Sequence, residues 1–183
     1  MKHDEDIPFS YLVKVGHISA NPVEVKIAAD GNECSGLARQ WGVPEVRSFS
    51  AELQVQRWKK DGVRLKGRVQ ANIVQSCVVT LDPVESLIDE PIDAVFVPEG
   101  SKLARTPVVE GGEMLLDPDG PDSPETFHGD TIDVAVVAAE YAAMAIDAYP
   151  RKEGVMFSGH VEHSEDDDRK PSPFAVLKDW KKD

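Results

Sequence analysis

The run Leu53-Gln54-Val55-Gln56-Arg57-Trp58-Lys59-Lys60-Asp61-Gly62-Val63-Arg64-Leu65-Lys66-Gly67-Arg68-Val69 decides the fold. Apolar and polar residues alternate on both sides of Lys60-Asp61-Gly62, the period of strands with one buried and one wet face. Residues 47–75 therefore read as one long hairpin. A two-residue Asp-Gly turn would set Leu53 and Val55 opposite Arg68 and Gln70, mixing core and solvent faces. A three-residue loop pairs Lys59 with Val63, hence Val55 with Gly67 and Leu53 with Val69. It separates the faces and asks Gly62 to be left-handed.

Upstream, residues 9–18 and 23–29 read as two strands, with Tyr11, Val13, Val15 and Val23, Val25, Ile27 alternating and Ala20-Asn21-Pro22 turning between them. Asp30 caps a helix, Glu33 completes its capping box, and Cys34, Leu37, Ala38 and Trp41 form its buried stripe. Gly42 and Pro44 end it. Downstream, residues 76–97 continue as strand, bending at Asp82-Pro83, with Val95-Phe96-Val97 as a core run. Residues 98–130 are rich in Pro, Gly and Asp and predict a mobile acidic loop. A helix follows over 131–146, capped by Asp130. Its polar residues Asp133, Glu140 and Asp147 make one narrow wet stripe, so the rest of the cylinder must be buried against a sheet. Val155 to Val161 reads as a short final strand.

The last residues form a separate element. The acidic run Glu162 to Asp168 cannot fold alone. After it, Ser172 caps a helix and Pro173 suits its first position. Phe174, Leu177 and Trp180 recur on one face, and Lys178, Lys181 and Lys182 sit near the negative helix end. A short amphipathic helix on an acidic tether is a docking element, for its own domain or for a partner.

Composition narrows the function. The chain has 183 residues, 41% hydrophobic, and a formal charge of −13. It predicts one globular domain over 1–161 with the tether and docking helix at 162–183. The acidic start at Met1-Lys2-His3-Asp4-Glu5-Asp6 does not read as a secretory signal, and no run reaches the length of a membrane span. Cys34 and Cys77 fit a reducing cytoplasm. A uniformly acidic surface repels phosphate backbones and suits basic protein partners.

Motifs for catalysis are missing: no phosphate-cradling Gly loop, no nucleophile elbow, no His-Glu-x-x-His. His160-x-x-His163 before Glu165-Asp166-Asp167-Asp168 has metal-ligand spacing but the flanks of a solvated tail. Asp117-Pro118-Asp119-Gly120-Pro121-Asp122 resembles a calcium loop only until Pro121 falls where a ligand is needed. Asp133 and Glu140 are two helical turns apart, too far for a carboxylate dyad. No catalytic residue, metal site, cofactor or small-molecule substrate is expected. The positive signal is the hairpin's polar face. There Gln54, Gln56 and Trp58 lie beside Arg64, Lys66 and Arg68, with Lys60 at the tip, a set suited to phosphate contact and base stacking. An ordinary solvated face with charges balanced by nearby acids is the competing reading.

Three segments carry a family resemblance. They are Leu65-Lys66-Gly67-Arg68-Val69 running into Cys77-Val78-Val79-Thr80-Leu81-Asp82-Pro83-Val84, then Ile132-Asp133-Val134 through Tyr149-Pro150, then Pro171-Ser172-Pro173-Phe174-Ala175-Val176-Leu177. In that order they resemble the YceD family, the large ribosomal RNA subunit accumulation proteins. Many relatives carry Cys-x-x-Cys where this chain has Cys77-Val78-Val79-Thr80, so a metal or redox role of that pair does not transfer.

The fold expected is α+β: a curved antiparallel sheet or partial barrel on a buried helix, plus the C-terminal amphipathic helix. The resemblance implies a non-enzymatic, cytoplasmic factor in synthesis, processing or stability of 23S ribosomal RNA during large-subunit assembly. Its partners would be ribosomal RNA or large-subunit ribosomal proteins. Two rivals are an acidic chaperone or adaptor for a basic ribosomal protein and an RNA-processing hydrolase. The hydrolase would need clustered acids, and only the tail clusters them densely.

Overall fold

The computed structural model describes residues 7–16, 18, 21–104 and 123–156. Its elements in chain order are β1 (Leu12–Lys14), β2 (Val23–Ala28), α1 (Gly31–Trp41), β3 (Glu45–Trp58), β4 (Gly62–Ser76) and β5 (Pro83–Pro98). A 3₁₀ turn at Lys102–Ala104, β6 (Glu125–Phe127), β7 (Thr131–Asp133) and α2 (Val134–Met144) follow. The chain divides into two units, residues 1–152 and 153–183, and of the second only Glu153–Met156 is described. The predicted tether and docking helix at 162–183, residues 105–122 of the predicted loop and residues 157–161 lie outside the described residues.

Long β3, β4 and β5 form an antiparallel meander, extended by β2 beside β3 and by β6 beside β5. β6 runs parallel to β5. The sheet is therefore mixed, and it is open with β2 and β6 at its ends, not closed into a barrel. The hairpin of β3 and β4 keeps the expected separation of faces, with a correction to its register. Trp58 pairs with Gly62, Val55 with Leu65 and Leu53 with Gly67. The loop has three residues, but they are Lys59, Lys60 and Asp61, and the left-handed residue is Lys59 at φ 51° rather than Gly62. Shifting the pairing by two preserves parity, so every side chain stays on its expected face. Gly62 is needed for space: a Cβ there would lie 2.6 Å from the Trp58 ring.

The inner face of the sheet is the core. Val46, Phe49, Ala51, Leu53 and Val55 of β3 meet Val63, Leu65, Val69, Ala71 and Ile73 of β4 and Ile88, Ile92, Ala94 and Phe96 of β5, all buried. Val46 and Phe49 are three apart yet both inward because the register shifts between Val46 and Ser48, a bulge that re-phases the strand. α1 begins as expected: Asp30 accepts from Asn32 and Glu33 backbone N–H groups, Glu33 accepts from Asp30 N–H, and Gly42 ends the helix at φ 66°. Phe9 packs edge-on against Phe49 at 5.4 Å between centroids, and Trp41 lies 6.0 Å from the same ring.

The region around residue 131 departs from expectation. Residues 9–18 and 23–29 belong to different sheets, because β1 pairs with β7 while β2 pairs with β3. Thr131–Asp133 is thus strand, α2 starts at Val134, and the cap is Asp133 rather than Asp130. Asp133 accepts from Ala135 and Val136, from Tyr11 N–H and from the Ser10 hydroxyl, so one carboxylate caps the helix and ties down β1. Val134, Ala135, Val137, Ala138, Ala139 and Ala142 are buried in the same cluster as the sheet's inner face.

Candidate functional site

The predicted polar face exists as a surface: Lys26 of β2, Glu52 and Gln54 of β3 and Arg64, Lys66 and Arg68 of β4 project to the outer side. The β4–β5 register adds the residues that sequence reading did not place there. Lys66 faces Asp93, and Gln70 faces Asp89. Arg64 donates twice to Asp93, Nε at 2.7 Å and a terminal nitrogen at 2.6 Å, a bidentate pair. Lys66 Nζ lies 3.6 Å from the same carboxylate, and Arg68 Nε lies 2.7 Å from Asp89. Lys26 pairs with Glu52 at 2.7 Å. The hydrogen bonds from Arg64 hold the Asp93 carboxyl below its usual range against partial burial, with the charge of Lys66 helping. Each cation of the predicted contact set on β4 therefore has an acid across from it.

This balance sets what the face can bind. A recess of about 410 Å³ is lined by Lys26, Lys66 and Arg68 but also by Glu24 and Glu52. An incoming phosphate would have to displace Asp93 or Asp89 and meet Glu52, so the face offers little net attraction for an anion. These pairs are solvent-exposed, worth little for stability, and open to exchange.

Trp58 is half-buried at the end of β3, one side of its ring against Gly62 and with Lys59 Nζ 4.1 Å from its centroid. Stacking a base there would require the lysine to move away. Lys60 is exposed in the loop, where its carbonyl accepts from Arg57 at 2.8 Å. Phe174, Leu177 and Trp180, the predicted docking face, lie outside the described residues, as do His160, His163 and the residues from Asp117 to Asp122.

At the other end of β4, Cys77-Val78-Val79-Thr80-Leu81-Asp82 turns the chain into β5. Cys77 is fully buried, and both cysteines are free thiols. The Thr80 hydroxyl hydrogen-bonds Cys77. Backbone N–H groups of Lys152, Thr80 and Val79 also point at the sulfur, and together these lower its pKa to about 6 despite burial. Lys152 further bridges to Asp82 at 3.1 Å, and Val78 N–H donates to the Pro150 carbonyl, so the turn is fastened to the segment after α2. Among the described residues no three His, Cys, Asp or Glu side chains gather closely enough to hold a metal ion. No helix among them is long and apolar enough to cross a membrane.

An open mixed sheet, two helices in its core cluster and a charge-balanced outer face define an α+β domain. The family follows from comparison: residues 65–181 match the family of large ribosomal RNA subunit accumulation protein YceD, and the chain belongs to it. That match takes in most of β4 and all of β5, β6, β7 and α2. A search of curated proteins and a search of solved structures each found no match.

Proposed function

We propose that this chain is a non-enzymatic, cytoplasmic factor in the synthesis, processing or stability of 23S ribosomal RNA during assembly of the large ribosomal subunit. The observation that carries this is the family match over residues 65–181, whose name ties the family to accumulation of large-subunit RNA. Deleting the gene is expected to lower mature large-subunit RNA relative to small-subunit RNA. Unchanged ratios and unchanged ribosome profiles would remove the assignment.

A second reading concerns the route. The pairing of Arg64, Lys66 and Arg68 with Asp93 and Asp89 favours a protein partner over direct phosphate contact. In that reading the chain is an acidic chaperone or adaptor for a basic ribosomal protein, and Phe174, Leu177 and Trp180 are its docking residues. Co-purification with assembling large subunits before and after nuclease treatment separates the two. Association that survives nuclease supports the adaptor, and association lost with the RNA supports direct binding.

Direct binding through the sheet face makes its own demands. Replacing Arg64, Lys66 and Arg68 together by Gln would abolish RNA affinity, and wild-type affinity would fall with salt at a slope of roughly two on log axes for three phosphates. Reversal to Glu is the poorer test, because it would set new acids against Asp93 and Asp89. Trp58→Ala would cost single-stranded RNA about 1–3 kcal/mol and duplex RNA much less. An RNA-processing hydrolase would need clustered acids to hold a metal, and the dense run, Glu162 to Asp168, lies outside the described residues.

A further inference from the structure

On the opposite side of the domain from the outer sheet face, the segment Ile7–Phe9 and the helices α1 and α2 enclose a groove of about 1010 Å³. Small-ligand pockets span about 300–1,000 Å³, so this one has room for several side chains of a peptide. Phe9, Leu37, Val136, Ala139 and Ala143 make much of it apolar. The alanines keep the α2 wall low, so an incoming side chain can approach the helix closely.

The polar groups around this floor are unevenly matched. Glu33 is committed to the capping box of α1. Glu140 makes no ion pair among the described residues. It is exposed overall, yet the groove shields its carboxyl enough to raise its pKa, and the nearby Glu125 carboxylate adds to the rise. Arg39, the one cation among the described lining residues, likewise makes no ion pair among the described residues, so the lining sets two acids against one cation. Trp41 lines the same groove, and its indole Nε1 is buried without an acceptor. The groove thus combines apolar contact area with a lining of net negative charge. The overall charge of −13 favours the same sign of partner. A phosphate backbone would be repelled by these acids.

We propose that the groove between α1 and α2 docks a short basic segment of a partner protein, with apolar side chains on its floor and a Lys or Arg against Glu140. The inference stands on this geometry and does not rest on the ribosomal assignment.

The test uses the full chain and synthetic peptides. One peptide carries Lys and Leu at helical spacing, a second has Ser in place of Leu at equal charge, and a third has Glu in place of Lys. The Lys-Leu peptide is expected to bind at least about tenfold more tightly than either control, the scale of one charge-assisted contact or one buried anchor. Glu140→Gln should weaken it about tenfold, whereas Glu24→Gln on the outer sheet face should leave it unchanged. Binding should shift the Trp41 indole N–H resonance, assigned by its loss in Trp41→Phe. Equal binding of the Lys-Leu and Lys-Ser peptides would reduce the effect to bulk charge and overturn the proposal, as would indifference to Glu140→Gln. A concentration-dependent dimer that shields Trp41 and excludes the peptide would assign the groove to a second copy and overturn it equally. Deletion phenotypes and peptide affinities are separate measurements, so either can fail alone.

Discussion

Gly67 leaves no room for a side chain: an added Cβ would sit 2.1 Å from the Glu52 carbonyl oxygen and 2.8 Å from Leu53 Cα. Both are backbone atoms and cannot swing aside. Gly67→Ala should therefore destabilise by about 3 kcal/mol, seen as a lower urea midpoint at unchanged slope. Leu81 is the opposite case. It is 77% exposed and held at φ 62°, where a side chain is strained. Leu81→Gly should raise stability by about 0.5–1 kcal/mol, relief of strain outweighing the entropy lost by glycine. Cys77 gives a pH signature. Its folded pKa of about 6 lies below that of an unfolded thiol, about 8.5, because the Thr80 hydroxyl and three backbone N–H groups favour the thiolate. The stability it contributes is complete above pH ~8.5, declines as pH falls, and is gone below pH ~6. Denaturation across that window should show this slope in the wild type and lose it in Cys77→Ser. Elemental analysis should find no stoichiometric zinc, since the two free thiols, Cys34 and Cys77, are too few for a structural zinc site.

Elements show which features a sequence can disclose. The β3–β4 hairpin was legible because alternation fixes which face each residue takes, and a two-residue slip leaves that parity intact. The loop position was not legible. Gly62 invites a left-handed assignment, but the tertiary need is space beneath the Trp58 ring, and Lys59 takes the positive φ instead. α1 announced itself through its capping box. β6 and β7, three residues each, carry no periodicity at all. The candidate site was half legible: Arg64, Lys66 and Arg68 were visible on one strand. Their acids come from β5, and only the register of β4 against β5 brings Asp93 and Asp89 across. Asp133 belongs to this scale as well, since it joins two elements. Asp133→Ala should cost about 2 kcal/mol, roughly one for the cap and one for the lost Tyr11 N–H partner, read by thermal unfolding. Asp133→Asn should recover much of the loss.

For the molecule as a whole, the charge of −13 acts on stability and binding in opposite senses. Added salt screens self-repulsion in the free domain and should raise its melting temperature modestly between low and physiological ionic strength. The same salt should weaken capture of any basic partner. A melting temperature that falls with salt would instead assign net stabilisation to the exposed pairs such as Lys26–Glu52 and Arg68–Asp89. The core spans both helices and the sheet, so the variants at Gly67 and Asp133 should unfold in one transition seen alike by fluorescence and circular dichroism.

The pairing of β1 with β7 also sets a timetable. Tyr11 N–H reaches Asp133 across 122 residues of sequence. During synthesis at about 5–20 residues per second, the segment around Tyr11, Val13 and Val15 waits roughly 6–24 s for its partner strand to be made. Over that interval the meander of β3, β4 and β5 can assemble from neighbours, while one edge of the core stays open. Nascent chains arrested before residue 131 should be cut by protease near β1 and protected within β4, and chains extended past α2 should resist at both. The first of the described strands to be translated is thus among the last of them to find its place.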